Sequence, residues 1–380
     1  MDNINAVLEH RDRVRGIDIE DFQNSIVEMV LPAMQQPFPE LTFLLLWAKY
    51  RAVSIVPDSL LGGSAPRLEV LALSGIPFPG LPKLLLSATH LVDLSLFQIP
   101  HSGYISPDTM VTILSPLSSL KSLTLGFESP RSCPDLASRP LSPSTRSVLS
   151  VLTIFEFKGV SEYLEDFVDL IDTPQLNKLD ITFFNDVVFE TPQFIQFITR
   201  TPMLRALEKA FINIWDQVAD VIFLPRTSEH RDLELKVGVS CRGLDWQISS
   251  VVQFCTSCLP PLSMMEDLYI FCRLQYSRRS EIENGLWVEL LHPFTVVKNL
   301  HLCRTFAPRI GPALQELVDG KTIDVLPALE NIFLQGLKPE RSVEEGIGEF
   351  VAARQVAGHP ITVSPWANWK KDMIPLYYRP

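Results

Sequence analysis

The sequence predicts an α/β solenoid, curved like a horseshoe, of about twelve turns with a parallel sheet along its concave face. Three recurring features predict it. The first is an apolar triplet, spaced as one apolar residue, two others, a second apolar residue, one other, and a third. It occurs as Val14-Ile17-Ile19, Leu41-Leu44-Leu46, Leu68-Leu71-Leu73, Leu91-Leu94-Leu96, Leu120-Leu123-Leu125, Leu149-Leu152-Ile154 and Leu176-Leu179-Ile181. It returns as Met265-Leu268-Ile270, Val297-Leu300-Leu302 and Leu329-Ile332-Leu334, and starts lie 23 to 29 residues apart early and 32 apart late. The second feature is a proline two residues ahead of the first apolar position, at Pro39, Pro66, Pro174, Pro202 and Pro327. The third is an amphipathic segment between triplets.

Each element follows from these. The second and third apolar positions alternate, so both side chains leave one face of a short strand. The proline fixes φ, offers no N–H and constrains its predecessor, which stops a helix and aims the chain into the strand. Helical stripes follow at Ile26, Met29, Val30 and Ala33 within Ser25 to Met34, and at Leu164, Phe167, Val168 and Ile171 within Ser161 to Ile171. Glu165, Asp166 and Asp169 fall off the second stripe, and Asp166, Asp169 and Asp172 read as a solvated acidic face. Ile310 to Val318 and Glu345 to Ala357 read the same way as helices. Together these features are the leucine-rich-repeat signature. Between 204 and 240 the pattern weakens, because Lys209 stands at the third position of Leu204-Leu207 and His230 at the first position before Leu233-Leu235-Val237. Ala210 to Ile214 and Leu233 to Val237 still alternate like strands and count as two turns, with the phase free to slip.

The whole span 1–380 reads as a single repeat domain. Ser129 to Arg146, with four prolines and many serines, is a surface loop, and Ser129-Pro130 and Ser142-Pro143 in it have the form of proline-directed phosphorylation sites, against the plainer reading of an exposed loop. Gln275 to Gly285 protrudes. Residues 359–380 form a capping tail, in which Ile361 and Val363 add a last strand and Trp366 and Trp369 cover the open end.

Composition narrows the function. The chain of 380 residues is 46% hydrophobic and 20% charged, enough apolar matter for an ordered core. Its net charge of −11 opposes a phosphate-backbone partner and suits a basic protein surface. The apolar runs are too short to span a membrane, and six cysteines without a secretory leader fit a reducing setting, cytoplasmic or nuclear. No nucleic-acid or membrane partner is expected, and the chain is expected to be a monomer.

Residues between or just after the inner apolar positions form columns on the concave face. Those columns hold Trp47, Phe97, Phe155, Tyr269, Phe271 and Phe333, aromatics of the kind that anchor protein interfaces. The sequence therefore predicts a protein partner bound there. The alternative is that these rings pack against neighbouring turns or lie under loops or termini. Chemistry is sparse. Cys255 and Cys258 have C-x-x-C spacing without a second metal pair, and on a helix they fit core packing. His301 and Cys303 alternate on one strand, without an orienting third group, so a hydrolase-like Cys/His site is a remote alternative. No phosphate-binding loop or H-E-x-x-H motif occurs, and neither a catalytic residue, a metal nor a cofactor is expected.

Particular stretches resemble a group of fungal F-box and leucine-rich-repeat proteins. They are Glu289-Leu290-Leu291-His292-Pro293-Phe294, Phe306-Ala307-Pro308-Arg309-Ile310, Val325-Leu326-Pro327-Ala328-Leu329 and Gly346-Ile347-Gly348-Glu349-Phe350-Val351-Ala352-Ala353-Arg354. The resemblance is clearest from Leu176 to Trp366. It implies substrate capture for a cullin-RING ubiquitin ligase, whose adaptor is docked by an F-box. Met1 to Arg13 leads into the first repeat without an F-box-like module, so adaptor docking maps to no residue here and would need a longer form. A stand-alone repeat scaffold is the alternative.

Overall fold

In the computed structural model the described residues are 10–22, 31–48, 55–133, 145–184, 191–205, 207–215, 217–226, 233–241, 243–257, 262, 264–273, 284–316, 325–336, 345–367 and 369. The chain forms two units, Met1–Arg205 and Ala206–Pro380.

In the first unit, strands β1 (Gly16–Phe22), β2 (Phe43–Ala48), β3 (Val70–Ser74), β4 (Asp93–Ile99) and β5 (Ser122–Phe127) are followed by β6 (Ser147–Val148), β7 (Ile154–Gly159), β8 (Ile171–Asp172) and β9 (Lys178–Phe184). One parallel sheet runs in the order β1-β2-β3-β4-β5-β7-β9, each strand beside its successor, while β6 and β8 pair separately. The register stacks Leu44, Leu71, Leu94, Leu123, Phe155 and Leu179 in one row. Leu46, Leu73, Leu96, Leu125, Phe157 and Ile181 stack in the next, and no member of either row is more than 4% exposed. Each buried side chain of this size contributes roughly 1.5–3 kcal/mol, and identical spacing makes the contributions repeat from strand to strand.

The prolines have a specific place. The N–H of the first apolar residue closes a turn onto the carbonyl three residues back, at Leu41, Leu68, Leu91, Leu120, Leu176, Met265 and Leu329. Pro39, Pro66, Pro174 and Pro327 occupy the second position of four such turns, where φ near −65° is required and no N–H is used. The first turn residue is buried too, as at Phe38, Ala65, Ala88 and Leu117.

One sequence expectation shifts here. The sixth triplet is Leu152-Phe155-Phe157, three residues later than Leu149-Leu152-Ile154. The N–H of Leu152 closes the repeat turn on Leu149, and Phe155 pairs with Leu123 and Leu179. Both triplets share Leu152, and the phenylalanines win because they fill the space against the following helix. That helix belongs to the series α1 (Leu81–Leu85), α2 (Pro107–Leu114), α3 (Ser161–Asp169) and α4 (Pro192–Arg200). Phe155 meets Phe167 of α3 at 5.5 Å and Phe157 stacks on Tyr163 at 5.9 Å between ring centroids. Glu165, expected off the apolar stripe, is 5% exposed and accepts the N–H groups of Gln193 and Phe194 at 2.9 and 2.8 Å, capping the start of α4. Arg200, at the other end of α4, donates to the carbonyls of Val168 and Ile171 and pairs with Asp172 at 2.8 Å. Arg146 in turn pairs with Asp169 at 3.4 Å. Two of the three expected surface acids therefore tie neighbouring repeats together.

In the second unit, β10 (Lys209–Trp215), β11 (Val218–Leu224) and β12 (Glu234–Ser240) precede α5 (Leu244–Ser257), β13 (Asp267–Arg273), α6 (Asn284–Leu291), β14 (Asn299–Leu302) and α7 (Ala307–Glu316). Then come β15 (Asn331–Leu334), α8 (Glu345–Val356) and β16 (Thr362–Pro365). The sheet order is β12-β11-β10-β13-β14-β15-β16. From β10 onward the pairing is parallel. β10, β11 and β12 instead form an antiparallel meander. The two expected strands of the 204–240 stretch are present, but a third strand separates them, so they are not consecutive parallel turns. The repeat triplet there is Leu207-Ala210-Ile212, with Ala210 opposite Leu268 and Ile212 opposite Ile270. Again the phase lies three residues later than Leu204 suggested.

β16 pairs in parallel with β15, with Val363 opposite Ile332, while Ile361 precedes the strand. On the helix-bearing side of the sheet, the wholly buried Arg354 of α8 donates to the carbonyls of Leu326 and Pro327 at 3.3 and 3.1 Å. In the 129–146 insertion, Pro130–Ser132 makes a 3-10 turn and Ser132 is 2% exposed. Ser142, Cys258, and most of the Ser25 to Met34 and Gln275 to Gly285 expectations lie outside the described residues. Among the described residues no helix is long and apolar enough to cross a membrane.

Candidate functional site

Side chains of alternate strand residues leave the sheet on the face opposite the helices. In the first unit, Leu45, Ala72 and Ser95 make one row on β2, β3 and β4, and Trp47, Ser74 and Phe97 make the next. Trp47 and Phe97 stand two strands apart, which sets their backbones about 9.6 Å from each other. Their ring centroids are nonetheless 6.1 Å apart and the planes are within 19°, so both rings lean over the small Ser74 between them. Directly after Phe97, Gln98 takes a positive φ of 48° and the β4–β5 register shifts. A bulge with a left-handed non-glycine residue bends the strand beside the ring pair.

The floor of this arrangement is polar. Ser74 is 2% exposed, and its Oγ has no hydrogen-bond partner among the described residues. Ser95 Oγ donates to Asp93 Oδ1 at 2.9 Å. Ser74, Asp93 and Ser95 line a recess of about 260 Å³ walled by Leu45, Trp47 and Phe97. Trp47 is 42% exposed, a large aromatic left in solvent. Further along, the face changes character. Phe155 is 0% exposed and belongs to the core, a correction that follows from the three-residue shift of its repeat. Its expected places on the face are taken by Glu156 and Lys158. Glu156 pairs with Lys178, and Lys158 lies over the Phe184 ring at 5.8 Å.

In the second unit the same positions build a ladder of rings. Phe211, Tyr269, His301 and Phe333 occupy one register position on β10, β13, β14 and β15. They stack at 4.3, 4.1 and 4.6 Å with interplanar angles of 13° or less. Trp366, expected at the open end, instead turns over this face. Its ring lies 5.6 Å from Tyr269, 5.2 Å from Phe271 and 5.1 Å from His301. Tyr269 and Phe271 are 5% and 7% exposed, so the alternative of rings covered by a terminal segment holds for these two, while Phe333 is half-buried. A second ladder runs alongside: Asn331 Nδ2 donates to Asn299 Oδ1 at 2.9 Å and Asn299 Nδ2 to Asp267 Oδ1 at 2.7 Å.

Of the six aromatics that the sequence columns place on this face, Trp47 is exposed with the half-buried Phe97 stacked on it, Tyr269 and Phe271 are covered, Phe333 is half-buried and Phe155 is in the core. The columns missed Phe211, which the Leu207-Ala210-Ile212 phase would have placed on the face, and gave no role to Ser74 and Asp93.

The cysteine chemistry is quiet. Cys303 is 5% exposed, and its Sγ accepts the N–H of Cys272 at 3.3 Å and lies 3.2 Å from Thr305 Oγ1. His301 is held between the Tyr269 and Phe333 rings. Cys255 is buried on α5, and Cys241 is buried with its thiol pKa raised by burial. Cys133 is pushed up to about 12, mainly by burial and then by the Glu162 carboxylate. Among the described residues no three His, Cys, Asp or Glu side chains group to hold a metal ion.

Neither a family model nor a curated protein matches this chain. Among solved structures, it is similar to the leucine-rich repeat-containing protein LegL7 from Legionella pneumophila, at 11% identity and a TM-score of 0.36, over 95% of this chain and 96% of that one.

Proposed function

We propose that this chain is a non-enzymatic protein-recognition scaffold of the leucine-rich-repeat type, and that its partner seats on the open strand face around Trp47 and Phe97. The observation that carries the reading is the exposed Trp47 ring stacked on Phe97 above a recess of about 260 Å³. A large aromatic that a fold leaves uncovered beside a concavity is the usual anchor of a protein interface. Single-turnover chemistry finds little support, because the Cys303 thiol is buried and hydrogen-bonded into its neighbouring strand.

A displayed-peptide selection tests this reading. Peptides enriched on the wild-type chain are counter-screened on a Trp47→Ala/Phe97→Ala double variant of unchanged melting temperature. Peptides that lose binding to the double variant support the face as the site. Peptides that bind both chains equally remove it. The finer reading, a substrate receptor of an F-box-type ubiquitin ligase, rests on the resemblance of the later repeats, and a cytoplasmic or nuclear setting rests on the cysteine usage. Co-purification of the ligase adaptor with a longer form, and not with this chain, would support that reading over a stand-alone scaffold.

A further inference from the structure

We infer that the recess beneath the stacked Trp47 and Phe97 rings takes a cationic side chain, an arginine before a lysine, from a basic segment of the protein partner. The inference rests on the recognition reading above and adds the chemistry of the group recognised. Three independent observations carry it.

The first is the ring pair. Aromatic faces carry negative potential and attract a guanidinium laid against them. Trp47 offers such a face to solvent, at 42% exposure, with Phe97 stacked behind it. The second is the unmet polar group. Ser74 Oγ is buried without a hydrogen-bond partner among the described residues and lines the recess. A buried hydroxyl left unpaired is costly, and an entering N–H donor would satisfy it. Asp93, on the same wall, supplies a carboxylate for a second N–H, and a planar guanidinium is suited to stack and donate at once. The third is charge. On strands β1 to β4 the described charged residues are Asp18, Glu20 and Asp93, with no Lys or Arg among them, in a chain of net charge −11. That field repels phosphates and carboxylates and draws in cations.

The probe is N-acetyl-arginine N-methylamide, compared with its citrulline counterpart, which is nearly isosteric, planar and uncharged. The full chain is labelled with 15N-tryptophan, and the Trp47 indole N–H resonance is identified by its loss in Trp47→Phe. The arginine derivative is expected to shift that resonance saturably, with the citrulline derivative at least about tenfold weaker. Asp93→Asn should weaken the arginine response about tenfold with an unchanged melting temperature, and Ser74→Ala should weaken it several-fold. Equal responses to arginine and citrulline would overturn the inference, as would no response to either. Trp47-dependent peptides that keep binding after their Arg and Lys residues are replaced by Gln would also overturn it while leaving the recognition reading standing. A selection that yields no Trp47-dependent peptide removes both.

Discussion

Phe97 and Phe155 show how much one side chain's register decides. Both follow an aliphatic residue in the sequence, yet Phe155 is wholly buried against Phe167 while Phe97 leans over the open face. Phe155→Ala would leave a ring-sized cavity in a packed row and should cost about 3–5 kcal/mol. Phe97→Ala loses one stacked pair at the surface and should cost about 1 kcal/mol. Urea midpoints of the two variants measure the difference, and equal losses would contradict the register. Cys133 gives a second prediction at this scale. Only the thiolate reacts with alkylating agents, and a pKa moved from 9.0 to about 12 lowers the thiolate fraction near pH 8 about a thousandfold. Because the shift is upward, reactivity should stay low through the mildly alkaline range and rise only as pH approaches 12. Peptide-resolved iodoacetamide labelling should find Cys133 alkylated far more slowly in the folded chain than in urea.

At the scale of elements, consecutive repeats are joined by side chains that satisfy a neighbour's helix end. Glu165 of α3 supplies both carboxylate oxygens to the first N–H groups of α4, and Arg200 of α4 returns to the carbonyls of Val168 near the end of α3 and of Ile171 just beyond it. Glu165→Ala should therefore destabilise by about 2 kcal/mol or more, the cost of an uncapped and buried helix start. Glu165→Gln should recover only part of this, since an amide has one acceptor oxygen where the carboxylate used two. A melt of both variants that leaves Tm unchanged would show the cap to be dispensable. This tie also marks where the sequence was legible. A period of two and a recurring proline are local properties, so the parallel strands outside the 204–240 stretch and the aromatic columns apart from Phe155 and Phe211 could be read directly. Phase was lost where a repeat used Phe or Ala in place of an aliphatic residue, at Phe155 and Ala210, each time by three residues. Burial of Glu165 and the covering of Tyr269 and Phe271 by Trp366 depend on what a distant segment brings, and no local pattern records that.

For the molecule as a whole, the relevant property is charge. A net charge of −11 sets a long-range field that acts before any contact is made. Duplex DNA should not be retarded by this chain even at about 50 mM salt, because counterion release requires a basic surface to neutralise phosphates. Peptides that depend on Trp47 should respond in the opposite sense, and their association should slow as salt rises from about 10 to 150 mM, where the screening length falls from about 30 to 8 Å. The dissociation rate should change much less, since the stacked and hydrogen-bonded contacts in the recess are short-range and partly desolvated. Stopped-flow tryptophan fluorescence separates the two rates. Salt acting equally on both, or on neither, would mean that the acidic balance of the chain serves solubility alone and that recognition begins only when Trp47 is touched.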